Sequence, residues 1–224
     1  MNQVMIPKIH HSLEFPDPRK CAGDIPIAYG GDLSPNRLIL AYSMGIFPWF
    51  NQNDPILWWS PDPRMVLFLD EFIVRRSLAK RIRNGGFEIR MNSAFKEVMT
   101  QCGTVEREDQ NGSWITSSMI KAYSALHDLG HAHSVESYLD GKLVGGLYGV
   151  AIGSIFYGES MFSLCNDASK VALAHLVEHL KDNGFEIIDC QMNTGHLSSL
   201  GARQIRRDEF LNIVTNGIQK DTRI

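Results

Sequence analysis

From Met65 onward the hydrophobic positions switch between two rhythms. The apolar run MVLFL at 65–69 and the alternating FEIR at 87–90 predict strands, and the text between them predicts a helix over roughly 71–83. SAFKEVMTQ at 93–101 and TSSMIKAYSALHDLG at 116–130 carry helical spacing, the second closed by Gly130, with the polar loop of residues 106–113 between them. The segment 133–163 holds an Asp140-Gly141 turn and an Ile152-Gly153 turn, which divide it into three successive antiparallel strands. Asn166 or Asp167 then caps a helix whose stripe is Leu173, Leu176, Val177 and Leu180 and whose end is Gly184. FEIIDCQ at 185–191 returns as a strand, and DEFLNIVTNGIQ at 208–219 is a last helix.

The first 63 residues have a different texture. Seven of the nine prolines fall before residue 60, among aromatics and glycines, which predicts short elements and tight turns with one brief helix opening at Ser34-Pro35. The expected organisation is therefore α+β: a small N-terminal domain over 1–63, then a domain over 64–224 with a mixed, largely antiparallel sheet flanked by helices.

Composition narrows the function more than the fold. With 224 residues, 44% hydrophobic and 21% charged, the chain can bury a sizeable core, and a net charge of -3 gives no global attraction to nucleic acid or anionic lipid. Such a partner would need a local patch. Cys21, Cys102, Cys165 and Cys190 form no CxxC pair and read as reduced thiols of a cytosolic protein. The start MNQVMIPKIHH lacks the apolar run of a signal peptide, and no stretch approaches the ~18 apolar residues of a membrane span, so the expected location is the cytosol.

Candidate chemistry gathers on two predicted strands. In FYGESMFS at 156–163, Glu159 stands among Phe156, Tyr157 and Met161, and an unpaired buried carboxylate there would be strongly unfavourable. In IIDCQ, alternation places Asp189 and Gln191 on one face and Cys190 on the other, in a packing role. If the two strands are neighbours, three hydrogen-bonding groups border an apolar space, as a small ligand pocket requires; a satisfied polar network holding the sheet is the alternative. His175, Glu178 and His179 match H-x-x-E-H, but they fall opposite the apolar stripe and no third ligand is signalled, so metal is not expected. His131 and His133 read as structural. Ser160 lacks the second glycine of a G-x-S-x-G elbow, which disfavours a serine hydrolase.

The local basic patch is RRSLAKRIR at 75–83. On a helix Val74, Leu78 and Ile82 turn inward, leaving Arg76, Lys80 and Arg83 as a cationic ridge suited to phosphates, or simply as a solvated face. Trp49, the Trp58-Trp59 pair, Trp114 and Tyr123 are candidates either for packing between the domains or for stacking on a base.

Taken in order, GIFPW at 45–49, WWSPDPR at 58–64, LVGGLYGV at 143–150, FYGESMFS, ASKVAL at 168–173, IDCQ at 188–191 and SLGA at 199–202 resemble the leucyl/phenylalanyl-tRNA-protein transferases across nearly the whole chain. The resemblance implies a small N-terminal domain and a larger one similar to GNAT acetyltransferases. It implies transfer of Leu or Phe, with Met less favoured, from aminoacyl-tRNA to the N-terminal Arg or Lys of proteins, as a degradation mark, without cofactor or metal. Carried over, Gln191 would hydrogen-bond the attacking amine, Asp189 would orient Gln191, and Glu159 would hold the reacting ends. Phe156 and Met161 would receive the Leu or Phe side chain; Trp49, Trp114 and Tyr123 would meet the terminal adenosine and nearby substrate, and Ser163 the acceptor. Arg76, Lys80 and Arg83 are the expected contacts to tRNA phosphates. The alternatives are an acyl-CoA-dependent N-acetyltransferase on the same fold, which would need a glycine-rich loop where SLCNDASKVAL stands, and a non-enzymatic RNA-binding module, which leaves Glu159, Asp189 and Gln191 without a purpose.

Overall fold

The computed structural model describes residues 5–10, 12–105 and 113–224, so the polar loop expected at 106–113 lies, apart from Ser113, outside the described residues. A small sheet is built from β1 (Lys8–Ile9), β2 (Ala28–Gly30), β3 (Phe47–Pro48) and β4 (Leu57–Trp59), with the helix α1 (Pro35–Ser43) inserted between β2 and β3. Its order is β1-β2-β4-β3. These strands of two or three residues are too short for alternation to show, which is why the sequence suggests turns there and not a sheet.

The second part runs β5 (Arg64–Phe68), α2 (Arg76–Asn84), β6 (Glu88–Met91), α3 (Phe95–Thr104), α4 (Ser117–Asp128), β7 (Ala132–Leu139), β8 (Lys142–Ile152) and β9 (Ile155–Ser163). It closes with α5 (Ala168–Asp182), β10 (Ile187–Gln191), α6 (Gly195–Ser198), β11 (Arg203–Ile205) and α7 (Arg207–Gly217). Seven strands form one sheet in the order β11-β5-β10-β9-β8-β7-β6, and β9 and β10 are its parallel neighbours. The expected α+β class with a mixed, largely antiparallel sheet is what the chain adopts.

The three-strand meander follows the sequence rhythm. Asp140 and Gly141 both have positive φ, the conformation a two-residue hairpin turn needs, and they join β7 to β8. Expectation and structure part at two helix starts. A single 3-10 turn covers Leu69–Glu71, and the chain then stays extended to Arg75 because the Ile73 N–H is held by the Leu200 carbonyl at 2.9 Å, so the expected helix at 71–83 begins only at Arg76. At α5 neither Asn166 nor Asp167 supplies a side-chain cap. The Ser163 hydroxyl at the end of β9 accepts the Ser169 N–H at 2.9 Å, while the Asp167 carboxylate pairs with Lys170.

The large sheet separates two cores. On one face Tyr157, Val66 and Ile187 pack with Tyr42 of α1, Phe95 of α3, Tyr123 of α4, Phe210 of α7 and Trp58 of the small sheet. On the other, Phe156, Leu67 and Ile188 pack with the Leu173, Leu176, Val177 and Leu180 stripe of α5 and with Leu78 of α2. Where β8 passes over Phe156 the backbone is so close that a Cβ on Gly149 would meet the Tyr157 carbonyl at 2.3 Å and the Phe156 ring at 2.5 Å. Gly149→Ala is therefore expected to lower stability by about 1–3 kcal/mol in urea unfolding. Gly158→Ala is the control: its Cβ would find Ile188 at 3.4 Å, an ordinary contact, and its effect is expected to stay under about 1 kcal/mol.

Candidate active site

The parallel pairing of β9 and β10 ends at Asp189 beside Tyr157. Beyond that point both strands are irregular: β9 slips against β8 between Tyr148 and Gly149, and β10 slips against β5 between Asp189 and Gln191. A cavity of about 330 Å³ opens there, with walls from Gly158–Met161 of β9, from Ile188, Cys190 and Gln191 of β10, and from Leu173 and Leu176 of α5. Its outer side is completed by Phe47, Pro48 and Trp49 and by Trp114. Of the residues singled out from sequence, Trp49, Trp114, Phe156, Glu159, Met161 and Gln191 border this one space.

Glu159 is not a lone acid. Its Oε1 accepts the Tyr42 hydroxyl at 2.7 Å and the Gln191 Nε2 at 3.4 Å, and its Oε2 accepts the Tyr123 hydroxyl at 3.3 Å. The two tyrosine hydroxyls also share a short hydrogen bond with each other. Burial pushes the Glu159 carboxyl up to about 7 against the pull of the Tyr42 hydrogen bond, and the Asp189 charge adds to the rise. Burial, followed by the Glu159 charge, raises both tyrosine hydroxyls well above their ordinary value. Tyr42 is a residue that sequence reading passed over. It sits in the apolar stripe of α1, where a tyrosine reads as packing, and only its hydroxyl reveals the site.

Asp189 is held differently. It is fully buried, and Arg64 grips it with two hydrogen bonds, Nε to Oδ1 at 2.8 Å and Nη2 to Oδ2 at 2.6 Å. The guanidinium lies between the Phe47 and Phe210 rings, 4.8 and 4.5 Å from their centres. Asp189 Oδ1 also accepts the backbone N–H of Gln191 at 3.0 Å. The expectation that Asp189 and Gln191 share one face, with Cys190 turned away, is corrected by the slip at Cys190. Gln191 takes φ 56, and it is Cys190 and Gln191 that line the cavity, while Asp189 points into the opposite core. Burial, together with the Asp189 charge, raises the Cys190 thiol. Arg64, the second missed residue, is the last letter of WWSPDPR and opens an apolar strand, a place where an arginine needs a partner.

Of the remaining expected residues, Tyr123, Ser163, Arg76, Lys80 and Arg83 lie outside the cavity lining. Tyr123 is fully buried and reaches the cavity through Glu159, its ring set edge-on against Tyr148 at 6.0 Å. Ser163 is at the start of α5 in its capping role. Trp49 is half-buried and packs edge-on against Trp59 with centroids 5.6 Å apart. Arg76, Lys80 and Arg83 are exposed along α2, which packs on α5, and none of the three joins an ion pair among the described residues. Leu78 faces the core as expected, but Val74 precedes the helix and is exposed. On α5, Glu178 is exposed and His175 and His179 are half-buried; His133 is buried between Asn92 and the Gly130 carbonyl. Among the described residues no group of three or more His, Cys, Asp or Glu is placed to hold a metal ion, and no helix is long and apolar enough to cross a membrane.

Comparison with known proteins adds a family to this geometry. The family model described as leucyl/phenylalanyl-tRNA protein transferase matches residues 66–215, and that of the same family's N-terminal domain matches residues 31–62. A leucyl/phenylalanyl-tRNA-protein transferase of Nitrosospira multiformis is 63% identical over 184 residues, covering 82% of this chain and 79% of that protein. One from Sulfurimonas denitrificans is 55% identical over 209 residues, covering 93% and 91%. Among solved structures, FemX superposes with a TM-score of 0.51 at 13% identity over 76% of this chain and 66% of that one, a likeness of fold.

The Glu159 carboxyl can be tested without substrate. Its folded value of about 7 exceeds the unfolded 4.5, so the folded state holds this proton more tightly. The stability it contributes is complete below pH 4.5 and is lost as pH rises to about 7. Relative to Glu159→Gln, the wild type is expected to lose up to about 3 kcal/mol across that window, less whatever solvent at the cavity mouth screens, and to change little above it. Urea unfolding of both proteins at a series of pH values measures the difference; a constant difference contradicts the raised carboxyl.

Proposed function

The chain belongs to the leucyl/phenylalanyl-tRNA protein transferase family, and from that premise we propose that it moves Leu or Phe, and Met less readily, from aminoacyl-tRNA to the N-terminal Arg or Lys of acceptor proteins, marking them for degradation in the cytoplasm. The observation that carries the reading is the apolar cavity whose polar rim is Glu159 and Gln191. The ester of aminoacyl-tRNA is already activated, so the protein's task is to align an amine with a carbonyl, accept a proton and exclude water. The amine forms the C–N bond, the ester C–O bond breaks, and the proton the amine gives up is passed on to the departing 3'-oxygen, which leaves as the tRNA's terminal hydroxyl.

In this reading Gln191, whose Nε2 donates to Glu159, keeps its Oε1 to accept from the attacking amine. Glu159 takes up the proton with Tyr42 and Tyr123 behind it, and Asp189 fixes Gln191 through its backbone N–H. Phe156 and Met161 belong to the cup for the donor side chain. A cup of this kind favours unbranched or γ-branched side chains over β-branched ones by shape, worth ~1–3 kcal/mol per methylene. Trp49 and Trp114 receive the terminal adenosine, with Tyr123 supporting from below, and Ser163 lies toward the acceptor. Arg76, Lys80 and Arg83 contact tRNA phosphates. We further propose that residues 1–63 and 64–224 are the two domains. The acyl-CoA alternative is less well supported, because the SLCND segment leading into α5 contains no glycine to form a phosphate-cradling loop.

Radiolabelled Leu-tRNA is expected to label a peptide beginning with Arg and to leave one beginning with Glu unlabelled; equal labelling contradicts the acceptor rule. Replacing Arg76, Lys80 and Arg83 together by Ala should flatten the slope of log affinity for tRNA against log salt by about 2 to 3. Filter-binding titrations at several salt concentrations give that slope, and an unchanged value puts the tRNA elsewhere.

A further inference from the structure

We infer that Arg64 is a positioning residue for the transfer reaction, acting through Asp189 to hold Gln191 in its reactive place; this rests on the role given to Gln191 above. Arg64 does not itself line the cavity. Its effect runs through one oxygen: Asp189 Oδ1 accepts both Arg64 Nε at 2.8 Å and the backbone N–H of Gln191 at 3.0 Å. That N–H belongs to the irregular stretch of β10 in which Asp189 faces Val66, Gln191 faces Met65, and Cys190 is the extra residue between them.

An extra residue in a strand persists only where its loose backbone groups find partners. If the Asp189 carboxylate swings away, the Gln191 N–H loses its acceptor and β10 is free to return to a regular ladder. A slip of one residue turns every following side chain to the opposite face. Gln191, now at φ 56 with its amide 3.4 Å from Glu159, would leave the cavity.

Two features indicate that this pair is not present for stability alone. Arg64 is fully buried and its Nη1 has no hydrogen-bond partner, so the site carries an unsatisfied donor as well as two desolvated charges. A pair of apolar side chains of similar volume would hold the same space at least as well. What apolar side chains cannot supply is a two-pronged grip that fixes the carboxylate plane, reinforced here by Phe47 and Phe210 on either side of the guanidinium. Phe47 also lines the cavity, so the arginine is clamped by the wall of the site it organises.

The test is a coupling measurement with purified full-length protein, Leu-tRNA as donor and an Arg-initial peptide as acceptor. Arg64→Met combined with Asp189→Leu removes both charges and is expected to fold. Its kcat should fall about 10²-fold while KM for Leu-tRNA stays within about threefold. Adding Gln191→Ala should then reduce kcat little further, although the same substitution is damaging in the wild type. Arg64→Lys keeps the charge without the two-pronged grip and repeats the comparison if the double variant does not fold: Gln191→Ala should lower kcat by a smaller factor there than in the wild type. Equal factors in every background, or a rise in KM with kcat unchanged, overturn the inference. A wild type that transfers but is indifferent to Gln191→Ala overturns it as well, whereas a wild type that transfers nothing overturns the proposed function together with it.

Discussion

The structure depends on a single seam, the parallel pairing of β9 and β10 that stops after Asp189 and Tyr157. A parallel pair buried on both faces would ordinarily run on, because each unpaired backbone group left inside is unfavourable. Here each strand is irregular against its outer neighbour, β9 against β8 and β10 against β5, so the two diverge without either leaving the sheet. The gap takes its apolar lining from α5 and β9 and its polar rim from the residues at the divergence. Fold and site are therefore one feature, since the irregularity that makes room is also what turns Gln191 inward.

The seam places two carboxylates near each other, the fully buried Asp189 and the partly buried Glu159, and surrounds them differently. Asp189 receives a full countercharge from Arg64 and a backbone donor from Gln191, which commits both of its oxygens inside the protein. Glu159 receives only neutral donors, the Tyr42 and Tyr123 hydroxyls and the Gln191 amide, and burial drives its carboxyl up to about 7. The two acids therefore meet different surroundings: Asp189 is tied to Arg64 and to the β10 backbone, while Glu159 meets neutral donors in a setting that raises its carboxyl. The answer to the isolated acid in FYGESMFS is thus local. It is solvated by two tyrosines from α1 and α4, whether or not a substrate is present.

How much of this is legible in sequence varies with the length of the signal. The β7-β8-β9 meander, its Asp140-Gly141 turn and the α5 stripe carry many apolar positions each, and sequence and structure agree on them closely. The β1–β4 sheet is invisible, because a two-residue strand has no period. The extended stretch at 72–75 is set by a hydrogen bond to Leu200, more than a hundred residues away, which no local propensity reports. Asp189, Gln191 and Glu159 stand out because they are polar among apolar neighbours, but the side on which each lies does not follow from alternation once Cys190 is inserted as an extra residue. Arg64 and Tyr42 are hidden for the converse reason: an arginine at a strand end and a tyrosine in a helix stripe are ordinary until their partners are known.

The character of the cavity constrains what kind of selectivity the site can exercise. Its walls are mainly aliphatic, aromatic and sulfur-containing, with Glu159 and Gln191 where β9 and β10 part and with Ser160, Thr194 and His196 as further polar lining. An apolar cup rejects charged and strongly polar side chains, since they would lose water without regaining hydrogen bonds. Against other hydrocarbons it can judge only fit, a much weaker criterion. Under the proposed reading, donor choice is therefore shared between the cup and the rest of the aminoacyl-tRNA, while the chemistry at the rim is indifferent to which side chain sits below it. In that reading the cup draws on Leu173 and Leu176 of α5 and on Phe156 and Met161 of β9, while the reacting groups are Glu159 and Gln191, where β9 and β10 part. A change in cup volume should shift which side chain is accepted without altering how the amine is held.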